Sequence, residues 1–396
     1  GKELMVVLAP TPSVDDSYMY QRVHVIEADN GRTLRSINNP GKLGQVAWSP
    51  DGKRLAIVSG ADIHDPHEGR LMVANIDGEE GLHDLMPQLE AHVGSIAWTD
   101  DSTLLWLAAD GVSSRFGAVD LSGRRTDLIE PGGDTVFSSF SRAHNSDAIA
   151  MVGHAPTHPA ELFTSGDSGE MPQRVTDLNP WLSELRFAEQ QPIRFTARDG
   201  MEIEGVLVYP LGYVEGRRYP TIMYVHGGPE SHESNGWLTS YTRPGQVAAA
   251  RGFAVFYPNY RGSTGRGVDF SMQGQADAAG KEFDDLVDGI DELVGRGISD
   301  RDAIGVTGGS YGGYASAWCA TFYSDRFAAS VMFVGISDNV SKLGTTDIPE
   351  EMYLVHHRKR LWEDWDYFLQ RSPIRHVQKN RTPTLILHGK DDPRVH

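Results

Sequence analysis

The sequence predicts two architectures in one chain. A run of β-propeller blades covers residues 1–183, and a mostly parallel, doubly wound α/β sheet covers residues 184–396. Three observations predict this. A strand–turn–strand unit recurs through the first half. Near-continuous apolar strands alternate with helical stretches in the second. A Gly-x-Ser-x-Gly run stands between one of those strands and the helix that follows it.

The recurring unit is clearest where residues 43–48 pass through Ser49-Pro50-Asp51-Gly52 into residues 53–58. It returns where residues 92–98 pass through Thr99-Asp100-Asp101 into residues 102–106. A third copy runs from Thr135 to Val152. Trp48 and Trp98 stand 50 residues apart, and Phe140 follows 42 residues later. Asp77-Gly78, Ser122-Gly123 and Ser168-Gly169 mark further tight hairpins between the copies. Four short strands every 40–50 residues predict blades over 1–42, 43–91, 92–134 and 135–182, the first of them partial. A β-sandwich is the alternative for such strands.

In the second half, residues 193–210 read as a hairpin turning at Asp199-Gly200. Residues 220–226, 253–257, 303–307, 328–334 and 384–388 read as buried strands, and 246–251 and 314–322 as helices. Phe283, Leu286, Val287, Ile290, Leu293 and Val294 share one face of a further helix. Alternation of this kind implies a parallel sheet covered on both sides.

Composition narrows the function classes. With 396 residues, 39% of them hydrophobic, the chain can bury two or three cores and is neither disordered nor collagen-like. One cysteine excludes an internal disulfide and favours a cytoplasmic location. The net charge of -18 argues against nucleic acid or an anionic membrane surface as partner. The apolar stretches are too short to span a bilayer. Walker and Rossmann fingerprints and a zinc ligand set are absent from the sequence, so no cofactor and no metal are expected.

The chemistry centres on Gly308-Gly309-Ser310-Tyr311-Gly312-Gly313. A sharp strand-to-helix turn pushes the Ser310 hydroxyl out of the sheet. Glycines two before and two after it avoid backbone clashes. The helix N-terminus favours developing negative charge. Tyr224-Val-His226-Gly227-Gly228-Pro229, at the end of a central strand, has the form of an oxyanion loop. Its Gly228 N–H and the Tyr311 N–H would hold a tetrahedral oxyanion. His226 reads as a structural tie in that loop rather than a base. In His388-Gly389-Lys390-Asp391-Asp392-Pro393-Arg394-Val395, Asp391 and Asp392 compete as the carboxylate that orients a histidine, and spacing alone does not separate them.

These three stretches, with Asn259-Tyr-Arg261-Gly-Ser-Thr-Gly265, resemble the prolyl oligopeptidase family of serine peptidases, and the acylaminoacyl-peptidase-like branch most. The resemblance covers residues 185–396, and the repeats match that family's β-propeller. It implies an α/β-hydrolase domain, short peptides as substrates and no cofactor. It places the catalytic acid on Asp392 and a substrate-carbonyl ligand on Arg394. Tyr311, Ile336 and Val395 become candidates for an apolar specificity pocket. Glu79-Glu80 echoes the Glu pair that dipeptidyl members use, but reads as a hairpin tip.

In this order of residues the base should follow the acid by about thirty residues. His396, in the same loop as Asp392, is a poor candidate for it. Only four of the family's seven blades are present. Both domains therefore read as truncated, to be completed by further sequence, another chain or a homo-oligomer, and the segment alone is expected to be inactive. Two alternatives remain: a carboxylesterase or other acyl hydrolase on the same fold, and a propeller scaffold with a dead hydrolase domain. The cluster His64-Asp65-Pro66-His67-Glu68 reads as a solvated loop rather than a metal site. Residues 230–233 read as surface loop, the run His356–Arg360 as a solvated face, and Cys319 as core.

Overall fold

The computed structural model describes residues 2–76, 81–166 and 170–395. Gly1, the turn residues Asp77-Gly78 and Asp167–Gly169, the pair Glu79-Glu80, and His396 lie outside the described residues.

Four antiparallel sheets follow one another through the first half. The first has three strands, Glu3–Leu8, Arg22–Glu27 and Thr33–Ile37, with a helix, Val14–Met19, inserted after the first strand. The others span residues 43–84, 92–129 and 136–174, each with four strands in simple up-and-down order. Trp48 and Trp98 both close the first strand of a sheet. Neighbouring sheets meet along those first strands. The Gln45 side chain bonds both the N–H and the C=O of Ile96, at 2.8 and 2.9 Å, and Trp98 Nε1 donates to the Ala47 carbonyl at 3.1 Å. Separate four-stranded sheets packed through their first strands are blades, not the two faces of a sandwich. Trp106, Leu104, Ala56 and Val58 fill the space between the second and third sheets.

The second half is one seven-stranded sheet. From one edge its strands are Gln190–Thr196, Glu202–Val208, Ala254–Asn259, Tyr219–Val225, Ser299–Gly309, Ala329–Phe333 and Thr384–Leu387. The first two pairings are antiparallel and the other four parallel. Alternate residues of one strand feed two cores. Phe256 joins Phe283, Leu286, Ile290 and Trp318 on one face, while Val255 and Tyr257 join Val206, Leu238 and Ala248 on the other. That is why these strands are apolar without a period of two. Phe283, Leu286, Ile290 and Leu293, on the helix Lys281–Gly295, are fully buried, each contributing about 1.5–3 kcal/mol.

The two halves dock through buried polar contacts. The 64–68 loop, expected to be solvated, is the clearest departure. Asp65 and Glu68 are both 0% exposed. Glu68 accepts N–H groups of Gly265 and Gly267, and Asp65 accepts those of Ala61, His67 and Glu68. Nearby, Asp15 accepts the N–H groups of Glu350 and Glu351, and Lys42 pairs with Glu351. Backbone donors replace the water these groups leave, from the partner half for Glu68 and Asp15 and from its own loop for Asp65.

Candidate active site

Ser310 stands between the strand Ser299–Gly309 and the helix Tyr311–Thr321, at φ 56°, ψ −117°. A non-glycine residue there carries backbone strain of about 1–3 kcal/mol. Its neighbours show what enforces it. A Cβ at Gly308 would lie 2.2 Å from the Val225 carbonyl oxygen, and one at Gly312 2.0 Å from the same atom. Only glycine lets the elbow press against the strand that carries the Gly227-Gly228 loop. Ser310 is half-buried, and its N–H donates to the Phe333 carbonyl at 3.1 Å.

The loop after Val225 comes close to the nucleophile candidate, since a Cβ at Gly227 would stand 3.3 Å from Ser310 Cβ. Gly228 adopts φ 119° and precedes a cis peptide to Pro229. Its N–H donates to no carbonyl among the described residues, and the Tyr311 N–H, in the first turn, has no acceptor within the helix. Both are free to meet an oxyanion.

His226 is 2% exposed and committed on both ring nitrogens, 2.8 Å from the Gly227 carbonyl and 2.8 Å from Ser263 Oγ. It stacks on Tyr260 at 4.4 Å, and burial pushes it down to about 4, so the ring is neutral. It ties the loop together. No histidine ring among the described residues hydrogen-bonds Ser310.

The two candidate acids, in the loop after Thr384–Leu387, differ in their surroundings. Asp392 Oδ1 accepts the N–H groups of Arg394 and Val395, at 2.9 and 3.0 Å, and its Oδ2 lies 3.7 Å from His388 Nε2. Asp391 is exposed. Arg394 is clasped by both oxygens of Asp347, at 2.5 and 3.1 Å, and its Nη1 meets Tyr18 Oη at 3.3 Å.

A cavity of about 770 Å³ lies between the two halves, and Ser310, Gly228 and Arg394 line it. The first two sheets supply Tyr18, Lys42 and His67 to its wall, and the α/β half supplies Glu230, Lys342, Glu351 and His356. Ile336 and Val395 are each 2% exposed and pack in the core with Tyr311 and Tyr314 instead. The Tyr311 hydroxyl points inward and donates to Glu282 at 3.0 Å.

Sequence reasoning missed the charged floor of this cavity. Glu230 bonds His356 Nε2 at 2.8 Å and stands 3.7 Å from Lys42. Burial pushes Glu230 up, but the charges of His356 and Lys42 outweigh it and hold the carboxyl well below its usual range. His356 and His357, read as part of a solvated run, are 7% and 1% exposed, because Glu230 and the Tyr367 hydroxyl meet them. Glu233, read as surface loop, is 3% exposed and pairs with Arg243 at 3.0 Å. Glu230, Glu351 and His356 could together offer ligands to a metal, but the Lys42 ammonium already pairs with both carboxylates.

Residues 239–396 match the model of the prolyl oligopeptidase family. An uncharacterized peptidase of Bacillus subtilis is 32% identical over 262 residues, 65% of this chain and 38% of that one. Dipeptidyl-peptidase 5 of Porphyromonas gingivalis is 28% identical over 385 residues, 94% of this chain and 55% of that one. The chain thus spans between about a third and about half the length of these relatives. The fold of Pyrococcus horikoshii acylaminoacyl peptidase superposes with a TM-score of 0.81 at 23% identity, over 100% of this chain and 60% of that one.

Proposed function

We propose, given that this chain belongs to the prolyl oligopeptidase family of serine peptidases, that it carries the nucleophile, oxyanion hole and orienting acid of an enzyme that cleaves short peptides. The observation that carries this reading is the strained Ser310 at a helix N-terminus, facing a cavity beside two uncommitted N–H groups.

Ser310 Oγ attacks the scissile carbonyl as a histidine removes its proton. The carbonyl oxygen becomes an oxyanion held by the N–H groups of Gly228 and Tyr311. The histidine returns the proton to the leaving amine, and water hydrolyses the acyl-enzyme by the same route. Asp392 orients that histidine, its other oxygen anchored by the Arg394 and Val395 amides. His226 does not serve as the base, since both nitrogens are engaged and the ring resists protonation. Arg394, pre-positioned by Asp347, offers its remaining donors to a substrate carbonyl. We assign residues 1–183 to the propeller domain and 184–396 to the peptidase domain, with substrate entering between them.

An acyl-aminoacyl anilide and a short p-nitrophenyl ester, compared on the full-length protein, test the substrate class. The reading predicts hydrolysis of both. Hydrolysis of the ester alone would make the protein an esterase.

A further inference from the structure

Lys342 lies in the short helix Asn339–Thr345, is 5% exposed, and lines the cavity that Ser310 also lines. The other cations of that wall have their anions. Lys42 pairs with Glu351 and stands near Glu230, and Arg394 is clasped by Asp347. The Lys342 backbone N–H donates to the Asp338 carbonyl at 3.0 Å, but its ammonium makes no hydrogen bond and no ion pair with any described residue. Its Nζ is not among the side-chain atoms sealed away without a partner, so it meets the solvent of the cavity.

A buried ammonium without an acceptor is costly. Burial, the largest influence, pushes Lys342 down to about 8, while the more distant Glu351, Glu230 and Asp347 pull it back up and Arg394 opposes them. It therefore remains largely protonated at neutral pH. His67 and His92 are pushed down to about 4 by burial and His232 to about 3, so those rings are neutral.

Resting on the peptidase reading above, we propose that Lys342 is a specificity-determining residue, whose ammonium binds a carboxylate of the peptide held in the Ser310 cavity. That carboxylate is either an acidic side chain or a free C-terminus, and both present the same pair of oxygens to the ammonium.

The test uses full-length protein with Ser310→Ala, so that binding is read without turnover. Fluorescent peptides carry Glu or Gln at each position flanking the scissile bond, each as a free acid and as a C-terminal amide. At least one carboxylate form should bind about tenfold more tightly than its neutral partner. Loss of affinity from Glu to Gln assigns the side chain, and loss on amidation assigns the terminus. Adding Lys342→Met or Lys342→Gln should bring the ratio to about one, and Lys342→Arg should keep a preference. Two neutral replacements guard against one that fails to fold. Equal binding of acid and neutral forms, or a preference that survives both neutral replacements, would overturn the proposal. Preferential binding by a protein whose Ser310 form cleaves no peptide would instead sink the peptidase reading and leave this one standing.

Discussion

The Glu68 carboxylate, on a loop of the second β-sheet, accepts the backbone N–H of Gly265 at 3.1 Å, across the boundary with the α/β half. Two residues earlier, Ser263 Oγ meets His226, and His226 Nδ1 meets the Gly227 carbonyl. One blade thus holds the loop that holds the proposed oxyanion loop. Burial pushes Glu68 up to about 8, so the folded chain keeps a proton there that the unfolded chain has lost. Stability should therefore fall as pH rises from about 5 to about 8 and flatten above. Glu68→Gln should remove that component, on the order of a few kcal/mol. Denaturant midpoints of the two proteins at pH 5 and pH 8 measure it.

Asp391 and Asp392 are adjacent and differ in environment alone. Asp392→Asn should lower kcat of the full-length enzyme about 10³- to 10⁴-fold, because the histidine loses its orienting charge. Asp391→Asn, on an exposed side chain, should stay within about twofold. Steady-state kinetics on one peptide substrate compares them.

Lys42 binds the two halves through Glu351 and Glu230. Lys42→Met leaves both carboxylates without their ammonium and should cost about 3–5 kcal/mol. Adding Glu351→Gln should recover part of that loss. Chemical denaturation of the single and double variants reads the coupling.

Gly312→Ala would set a Cβ 2.0 Å from the Val225 carbonyl oxygen. The elbow or the strand must move, at a cost of about 3 kcal/mol. Thermal unfolding should show a clear drop, and a wild-type melting temperature would contradict the elbow geometry.

Much of this molecule is legible in its sequence, and the legible parts share a cause. Trp48 and Trp98 mark equivalent strands because each blade repeats one packing problem, and repetition is visible in a sequence. Gly308, Ser310 and Gly312 were legible because the clashes they avoid are local. The cavity floor was not legible. Lys342, Glu351 and His356 lie on short helical turns between residues 339 and 357 that show no apolar period. His356 is buried because Glu230, 126 residues away, meets it. The same holds for Glu68, which reads as a loop carboxylate until the backbone of Gly265 and Gly267 reaches it. The inward packing of Ile336 and Val395 likewise follows from the tertiary core rather than from their nearness to Ser310 or Asp392 in sequence.

The claim that Ser310 is an activated nucleophile is tested most directly by a fluorophosphonate. After incubation of the full-length protein, mass spectrometry of its proteolytic digest should show the adduct on the peptide containing Ser310, and Ser310→Ala should abolish it along with about 10⁴-fold or more of the peptidase activity. An unlabelled Ser310 in a folded protein, or peptide hydrolysis that survives Ser310→Ala, would contradict it.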